Sequence, residues 1–242
     1  MTGPDQDFSW RYTEYFDIVR ADTPELLDQA YRLRYQVYCL EHPFENSAEH
    51  SDGRERDVDD DRSIHTLLLH RQSGVFAGTV RVILPRWVTQ RPFPIHRILA
   101  SQGIEPFSVL PMPSTSEISR FAVSKEFRRR RGEERYPDVH VPGEAPATPN
   151  DRQMIPYITF GLIRGVVEIC QDYEISHISA VMEPALIRIL ERFGVHFEHI
   201  GSPVEYHGRR QACVARLTDL VERNRANRTL LWQYTGKYVT KA

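Results

Sequence analysis

A glutamate and an arginine stand three positions apart in a segment that otherwise reads as a strand: Glu117-Ile-Ser-Arg120-Phe121, within Thr115 to Ser124. A buried sheet holds charge only where it is paired or at a working site. In a regular strand, residues separated by three positions point to opposite faces. Either a bulge realigns Glu117 with Arg120, or the two serve different faces. The segment follows a Pro-rich stretch, Pro106 to Pro113.

The chain around it alternates between the two regular periods. Tyr15 to Val19 reads as a short strand, and Asp22-Thr-Pro-Glu25 opens a helix with a capping side chain, a first-turn proline and a favourable acidic residue. Leu26, Ala30, Leu33 and Val37 recur at helical spacing. Asn46 to Asp61 is polar and acidic without apolar period, and Ile64 to Leu69, the turn Ser73-Gly74, and Val75 to Leu84 read as a hairpin. Ile95 to Ala100 reads as a short helix ahead of the Glu117 strand. The stretch 128–150 is charged, then rich in Pro, Gly and Ala, and reads as a long mobile loop. Asn150 to Gln153 resembles a capping box before an apolar helix to about Gln171. Ile175 to Val181, Val195 to Ile200 and Gln211 to Leu217 read as strands, and Pro184 to Phe193 as a helix closed by Gly194. A final helix and tail occupy about 218–242. This order argues for one α/β domain on a central mixed sheet.

Composition narrows the function classes. Forty per cent hydrophobic and 26 per cent charged residues describe an ordinary globular protein, and a net charge of −2 gives no general drive toward nucleic acid or anionic lipid. Three widely spaced cysteines without a CxxC point to a reducing compartment and away from a disulfide framework. Ten scattered histidines give no convincing metal set. The N-terminal residues lack a basic stretch followed by an apolar one, and no apolar run approaches the roughly 20 residues of a membrane span, so a cytoplasmic protein is expected.

Three further motifs precede the strand. They are Arg34-Tyr-Gln-Val-Tyr38, Glu55-Arg-Asp57-Val-Asp-Asp60 and Gly78-Thr-Val-Arg81. Taken singly, each charge reads as solvated or structural. In this order and spacing, over roughly the first half of the chain, the set resembles the autoinducer (acyl-homoserine-lactone) synthase family of N-acyltransferases. It is similar above all to that family's relatives, the N-acyl amino acid synthases and the acyltransferases associated with PEP-CTERM/exosortase systems. The resemblance implies a GCN5-related N-acetyltransferase (GNAT) fold, with a mixed twisted sheet splayed beside the Glu117 strand and helices on both faces.

It also implies roles. Glu117 takes the position of the family's catalytic glutamate, with Arg120 beside it. Arg34, Tyr38, Asp57, Asp60 and Arg81 fall in an electrostatic cluster that orders the acidic segment over the acceptor. Acyl transfer from a thioester needs a neutral amine, and a free α-amine has a pKa of roughly 7.7 to 8, so a modest base suffices. Backbone N–H groups near Phe121, Ala122 and Val123 are the candidates for the thioester oxygen and pantetheine. An apolar slot is expected against the helix from Met154 and the strand ending at Val181, with Ile158, Leu162, Ile163 and Val181 as its lining.

Two departures from the family pattern bear on the substrates. Acetyl-coenzyme A users of this fold carry a Gln/Arg-x-x-Gly-x-Gly/Ala loop that cradles pyrophosphate, and Phe127-Arg-Arg-Arg-Arg131-Gly132 gives only a poor version of it. Four consecutive arginines, Arg128, Arg129, Arg130 and Arg131, suit docking of an acidic acyl carrier protein, with a solvated charge run or a nonspecific RNA contact as the alternative reading. The donor expected is therefore the acyl-phosphopantetheine of acyl carrier protein in preference to acyl-coenzyme A, with no permanently bound cofactor. Where autoinducer synthases carry a Leu-Gly-Trp-like stretch, this chain has Cys39-Leu-Glu-His-Pro-Phe44-Glu45, which favours an amino acid over S-adenosylmethionine as acceptor. The expected product is an N-acyl amino acid. The alternatives are an acyl-homoserine-lactone synthase and a non-catalytic acyl or carrier-protein binding module. A nucleic-acid partner is not expected, because interleaved aromatics and overall basic charge are missing.

Overall fold

The alternating strand segments form a seven-stranded sheet in the computed structural model, which describes residues 15–42, 44–85, 91–127, 154–192, 194–206 and 208–226. The strands are β1 (Phe16–Arg20), β2 (Ser63–His70), β3 (Val75–Ile83), β4 (Thr115–Val123), β5 (His177–Met182), β6 (Glu198–Glu205) and β7 (Arg209–Arg216). Their order across the sheet is β1-β2-β3-β4-β5-β7-β6. Every neighbouring pair is antiparallel except β4 with β5, which run parallel. The β2–β3 hairpin closes where Ser73-Gly74 marked it, with Gly74 at φ 68°. The expected strand from Val195 starts later and continues through Gly201 to Glu205.

Pairing between β4 and β5 stops early. Thr115 to Ile118 match His177 to Ala180, and no register continues beyond them. From there β4 stays with β3, through Ser119, Ala122 and Val123, while β5 stays with β7 through Val181 and Met182. The two central strands therefore part just after Glu117, and the sheet is splayed there.

Helices cover both faces. Helix α1 (Pro24–Tyr35) starts where Thr23 Oγ accepts the Leu26 N–H at 3.3 Å, with Pro24 in the first turn. Ala30, Leu33 and Val37 then pack on Leu67 and Ala122. The chain continues as a π-helical segment, Gln36–Glu41, which no sequence period announced. Helix α2 (Pro94–Ser101) sets Ile95, Ile98 and Leu99 against Ile83 on this same side. Helices α3 (Met154–Asp172), α4 (Pro184–Arg192) and α5 (Leu217–Ala226) cover the opposite face, against Leu68, Val80, Val82 and Ile118. Each fully buried aliphatic side chain in these layers contributes about 1.5–3 kcal/mol of transfer free energy.

Gly78 shows how closely α3 approaches. A Cβ there would lie 2.9 Å from Ala122 O and 3.0 Å from Leu162 Cδ1, so only glycine fits between the helix and the two strands. Among the described residues no helix is long and apolar enough to cross a membrane. The stretch 128–150, the capping box at Asn150 to Gln153 and the tail beyond Ala226 lie outside the described residues.

Candidate active site

The acidic segment between α1 and β2 carries no apolar period because its side chains bind arginines instead of a core. Arg34, fully buried in the last turn of α1, donates through Nε to Glu55 at 2.6 Å and through both terminal nitrogens to Asp60 at 2.6 and 3.0 Å. Arg81 on β3 donates to Asp57 at 2.6 Å, to Asp60 at 2.9 Å and to Ser119 Oγ at 2.9 Å. Arg120 on β4 reaches Glu55 at 2.9 Å, and Glu45 and Asp57 at 3.1 Å each. Three guanidiniums thus face four carboxylates, Glu45, Glu55, Asp57 and Asp60. Burial pushes the carboxyls of Glu55, Asp57 and Asp60 up, but the arginines, joined at Asp60 by His65, more than offset it and hold all three below the usual carboxylate range.

His65 is buried beside this network, with Nε2 3.3 Å from Asp60 Oδ1. Burial, aided by Arg34, holds its pKa below the ordinary histidine value despite Asp60, which keeps the ring neutral.

Arg120 resolves the alternation problem posed by the sequence. Thr79 pairs with Ala122 while Arg81 pairs with Ser119, which leaves one extra residue on β4. That residue is Arg120, at φ 51° in the left-handed region. The bulge turns its side chain to the face that carries Arg81 and Ser119. By register Glu117 shares this face, so carboxylate and guanidinium do project to one side. Tyr38, from the π-helical segment, lies under the Arg120 guanidinium at 5.5 Å and donates its hydroxyl to Phe121 O at 3.1 Å. The π-helical turn and the bulge are therefore tied together at the point where the sheet opens.

Glu117 is 2 % exposed and is not one of the ion-paired carboxylates. Its Oε2 accepts the Ile95 N–H, in the first turn of α2, at 3.0 Å. Burial pushes its carboxyl up to about 8, against the opposing pull of the Ile95 N–H and Arg81. At neutral pH the resting group is mostly protonated. A cation placed beside it favours the charged form and lowers that value.

One cavity of about 440 Å³ joins these parts through the splay. Tyr38, Glu45, Asp57, Arg81 and Arg120 line it on the α1 and α2 side, Glu117, Phe121, Ala122 and Val123 line it along β4, and Thr159, Ile163, Leu186 and Leu190 line it on the α3 and α4 side. Val181 also lines it, from the face shared with α2. Ile158 and Leu162 are placed differently from the expectation. One helical step from Thr159 and Ile163, they point into the core over Gly78 and do not line the cavity. Arg34 and Asp60 lie behind the cavity as its buried support. Arg128, Arg129, Arg130 and Arg131 lie outside the described residues.

The sequence reading left out Glu45, which sits in an irregular stretch, and gave no separate role to Glu55, although it is the most buried acid of the cluster. The signal for Glu55 was its place at the head of the Glu55-Arg-Asp57 motif. Ser119 and the Ile95 N–H carried no signal, since their roles follow only from register and helix placement.

Residues 33–136 match the Acetyltransferase (GNAT) domain family. Among curated protein sequences, none matches the chain. The fold is similar to that of TofI, solved in a ternary complex with an inhibitor and MTA, at TM-score 0.58 and 20% identity over 84% of this chain and 91% of TofI. It is similar to BjaI, a CoA-dependent acyl-homoserine lactone synthase solved with SAM and isopentyl-CoA, at TM-score 0.58 and 20% identity over 89% of this chain and 90% of that one. It is also similar to FeeM, an N-acyl amino acid synthase from uncultured soil microbes, at TM-score 0.55 and 15% identity over 90% of this chain and 97% of FeeM. The chain thus shares its fold with these synthases, and the stretch that matches the GNAT acetyltransferase domain contains the arginine–carboxylate network and Glu117.

Proposed function

We propose that the protein is an N-acyltransferase that moves a medium- or long-chain fatty acyl group from the phosphopantetheine thioester of acyl carrier protein to the α-amine of an amino acid. The observation that carries this reading is the single cavity joining a polar end rich in carboxylates to an apolar end, with the buried Glu117 between them.

The acceptor enters as an ammonium. Its positive charge meets a carboxyl whose own charge burial has suppressed, so the pair ionises Glu117 and the amine passes its proton to it. The neutral amine attacks the thioester carbonyl, and the developing oxyanion is met by backbone N–H groups of Phe121 to Val123 along the open edge of β4. The C–S bond then breaks, the amide keeps one amine hydrogen, and the second proton released by the nitrogen passes to solvent. The thiolate leaves as a thiol by taking the proton held on Glu117. The arginine–carboxylate network does no proton transfer. It holds the acidic segment over the acceptor end.

Acyl carrier protein is preferred as donor because Arg128 to Arg131 suit an acidic partner and the pyrophosphate loop is poorly formed. S-adenosylmethionine is the rival acceptor, since BjaI holds it on a similar fold. Mass spectrometry of lipids from cells expressing the protein tests the reading, because one extract reports head group and acyl chain together. An N-acyl amino acid that disappears with Glu117→Gln is expected. An acyl-homoserine lactone would replace the acceptor, and no new acyl amide in any extract would defeat the proposal.

A further inference from the structure

We infer that Arg97 is the binding residue for the α-carboxylate of the acceptor. The inference rests on the N-acyltransfer reading above and adds a residue to it. Five arginines line the cavity. Arg81 binds Asp57 and Asp60, Arg91 binds Asp61, Arg120 binds Glu45, Glu55 and Asp57, and Arg210 binds Glu183. Arg97, exposed on α2, makes no hydrogen bond or ion pair among the described residues. A guanidinium fork facing a cavity without a carboxylate of its own is matched to a carboxylate brought by a ligand.

Its position favours the acceptor over the donor. Helix α2 packs on the sheet face that carries the arginine–carboxylate network, and the Ile95 N–H of its first turn holds Glu117. The apolar lining from α3 and α4 lies across the splay, on the opposite face. An acyl chain seated there leaves the α2 side to the acceptor. An α-amino acid then places its ammonium by Glu117 and its carboxylate on Arg97. S-adenosylmethionine carries the same α-amino carboxylate, so the assignment covers either source of acceptor.

The test uses the purified full chain, a long-chain acyl carrier protein as donor, and a panel of acceptors. The panel holds the natural L-amino acids, S-adenosylmethionine, and the α-amide of whichever of these reacts best. The wild type should prefer the free acid to its amide. Arg97→Gln should raise the KM for the acid by about 10- to 100-fold, the span expected for hydrogen bonds to a charged group. The amide, which lacks the carboxylate, serves as the control, and the preference for acid over amide should collapse. Arg97→Lys should restore part of it, and the pH dependence of turnover, set at Glu117, should stay in place. Equal losses on acid and amide would mark Arg97 as structural and overturn the assignment. So would a raised KM for acyl carrier protein with an unchanged KM for the acid, which would place the donor's phosphate on Arg97. A wild type that acylates no amine would overturn the N-acyltransfer reading and this inference together.

Discussion

Arg34→Met removes a guanidinium that is fully buried and donates three hydrogen bonds, one to Glu55 and two to Asp60. Removing one partner of a buried ion pair costs about 3–5 kcal/mol, because a charge is left without compensation. Here Arg120 still serves Glu55 and Arg81 still serves Asp60, so the loss should fall at the low end, about 3 kcal/mol. For a chain of this size that lowers Tm by about 6–12 °C. The loss should also depend on pH. In the wild type the folded-state pKa values of Glu55 and Asp60 are depressed, so their stabilisation is present above the unfolded carboxylate range and is lost as pH falls through the folded values. Without Arg34 those folded values rise, and the variant takes up protons sooner as pH falls. Its penalty should therefore shrink between about pH 7 and about pH 4. Thermal unfolding followed by circular dichroism at a series of pH values measures both quantities. A penalty that is constant across that range, or that grows on acidification, would refute the claim that uncompensated carboxylates cause it.

Two other predictions address the substrates. Ile163→Trp should shorten the preferred acyl chain, because Ile163 lines the cavity, whereas Leu162→Ala should destabilise the fold by about 2–5 kcal/mol with the chain-length profile unchanged; product profiles by mass spectrometry and unfolding curves separate the two. Neutralising Arg128, Arg129, Arg130 and Arg131 together should raise the KM for acyl carrier protein, change kcat little, and flatten the salt dependence of the wild-type reaction; equal use of acyl-coenzyme A would remove the case for carrier-protein docking.

Much of this arrangement was legible in the sequence, for physical reasons that can be named. The β2–β3 hairpin follows from alternation and a turn glycine, and α1 from a capping threonine followed by a proline. Charges that do not fit their element, such as Arg81 and Arg120 on strands, marked the site because burying them unpaired is costly. What stayed hidden depends on contacts distant in sequence. Helix α3 is apolar on more than one side, so nothing local says that Ile158 and Leu162 meet Gly78 while Thr159 and Ile163 meet the cavity. Glu45 and Glu55 lie in segments without period, and their partner Arg120 is 65 residues from Glu55. The bulge at Arg120 was one of two solutions that alternation allowed. It is selected by the partners that await the side chain on that face, at the cost of a left-handed backbone.

The account turns on Glu117 as the base that takes the acceptor's proton. The most direct measurement is turnover of acyl carrier protein and amino acid by the wild type and Glu117→Gln, across the pH range around the raised pKa. With the carboxyl of the free enzyme pushed up to about 8, wild-type kcat/KM should climb as pH rises toward and through that value, as the basic form becomes available. Glu117→Gln keeps the size and polarity of the side chain, and its carbonyl oxygen can still accept the Ile95 N–H, so the fold should hold. Its turnover should fall by about 10²- to 10⁴-fold. A folded Glu117→Gln protein that transfers the acyl group at close to the wild-type rate, with the same rise in pH, would show that Glu117 is a buried cap on α2 and that the base lies elsewhere.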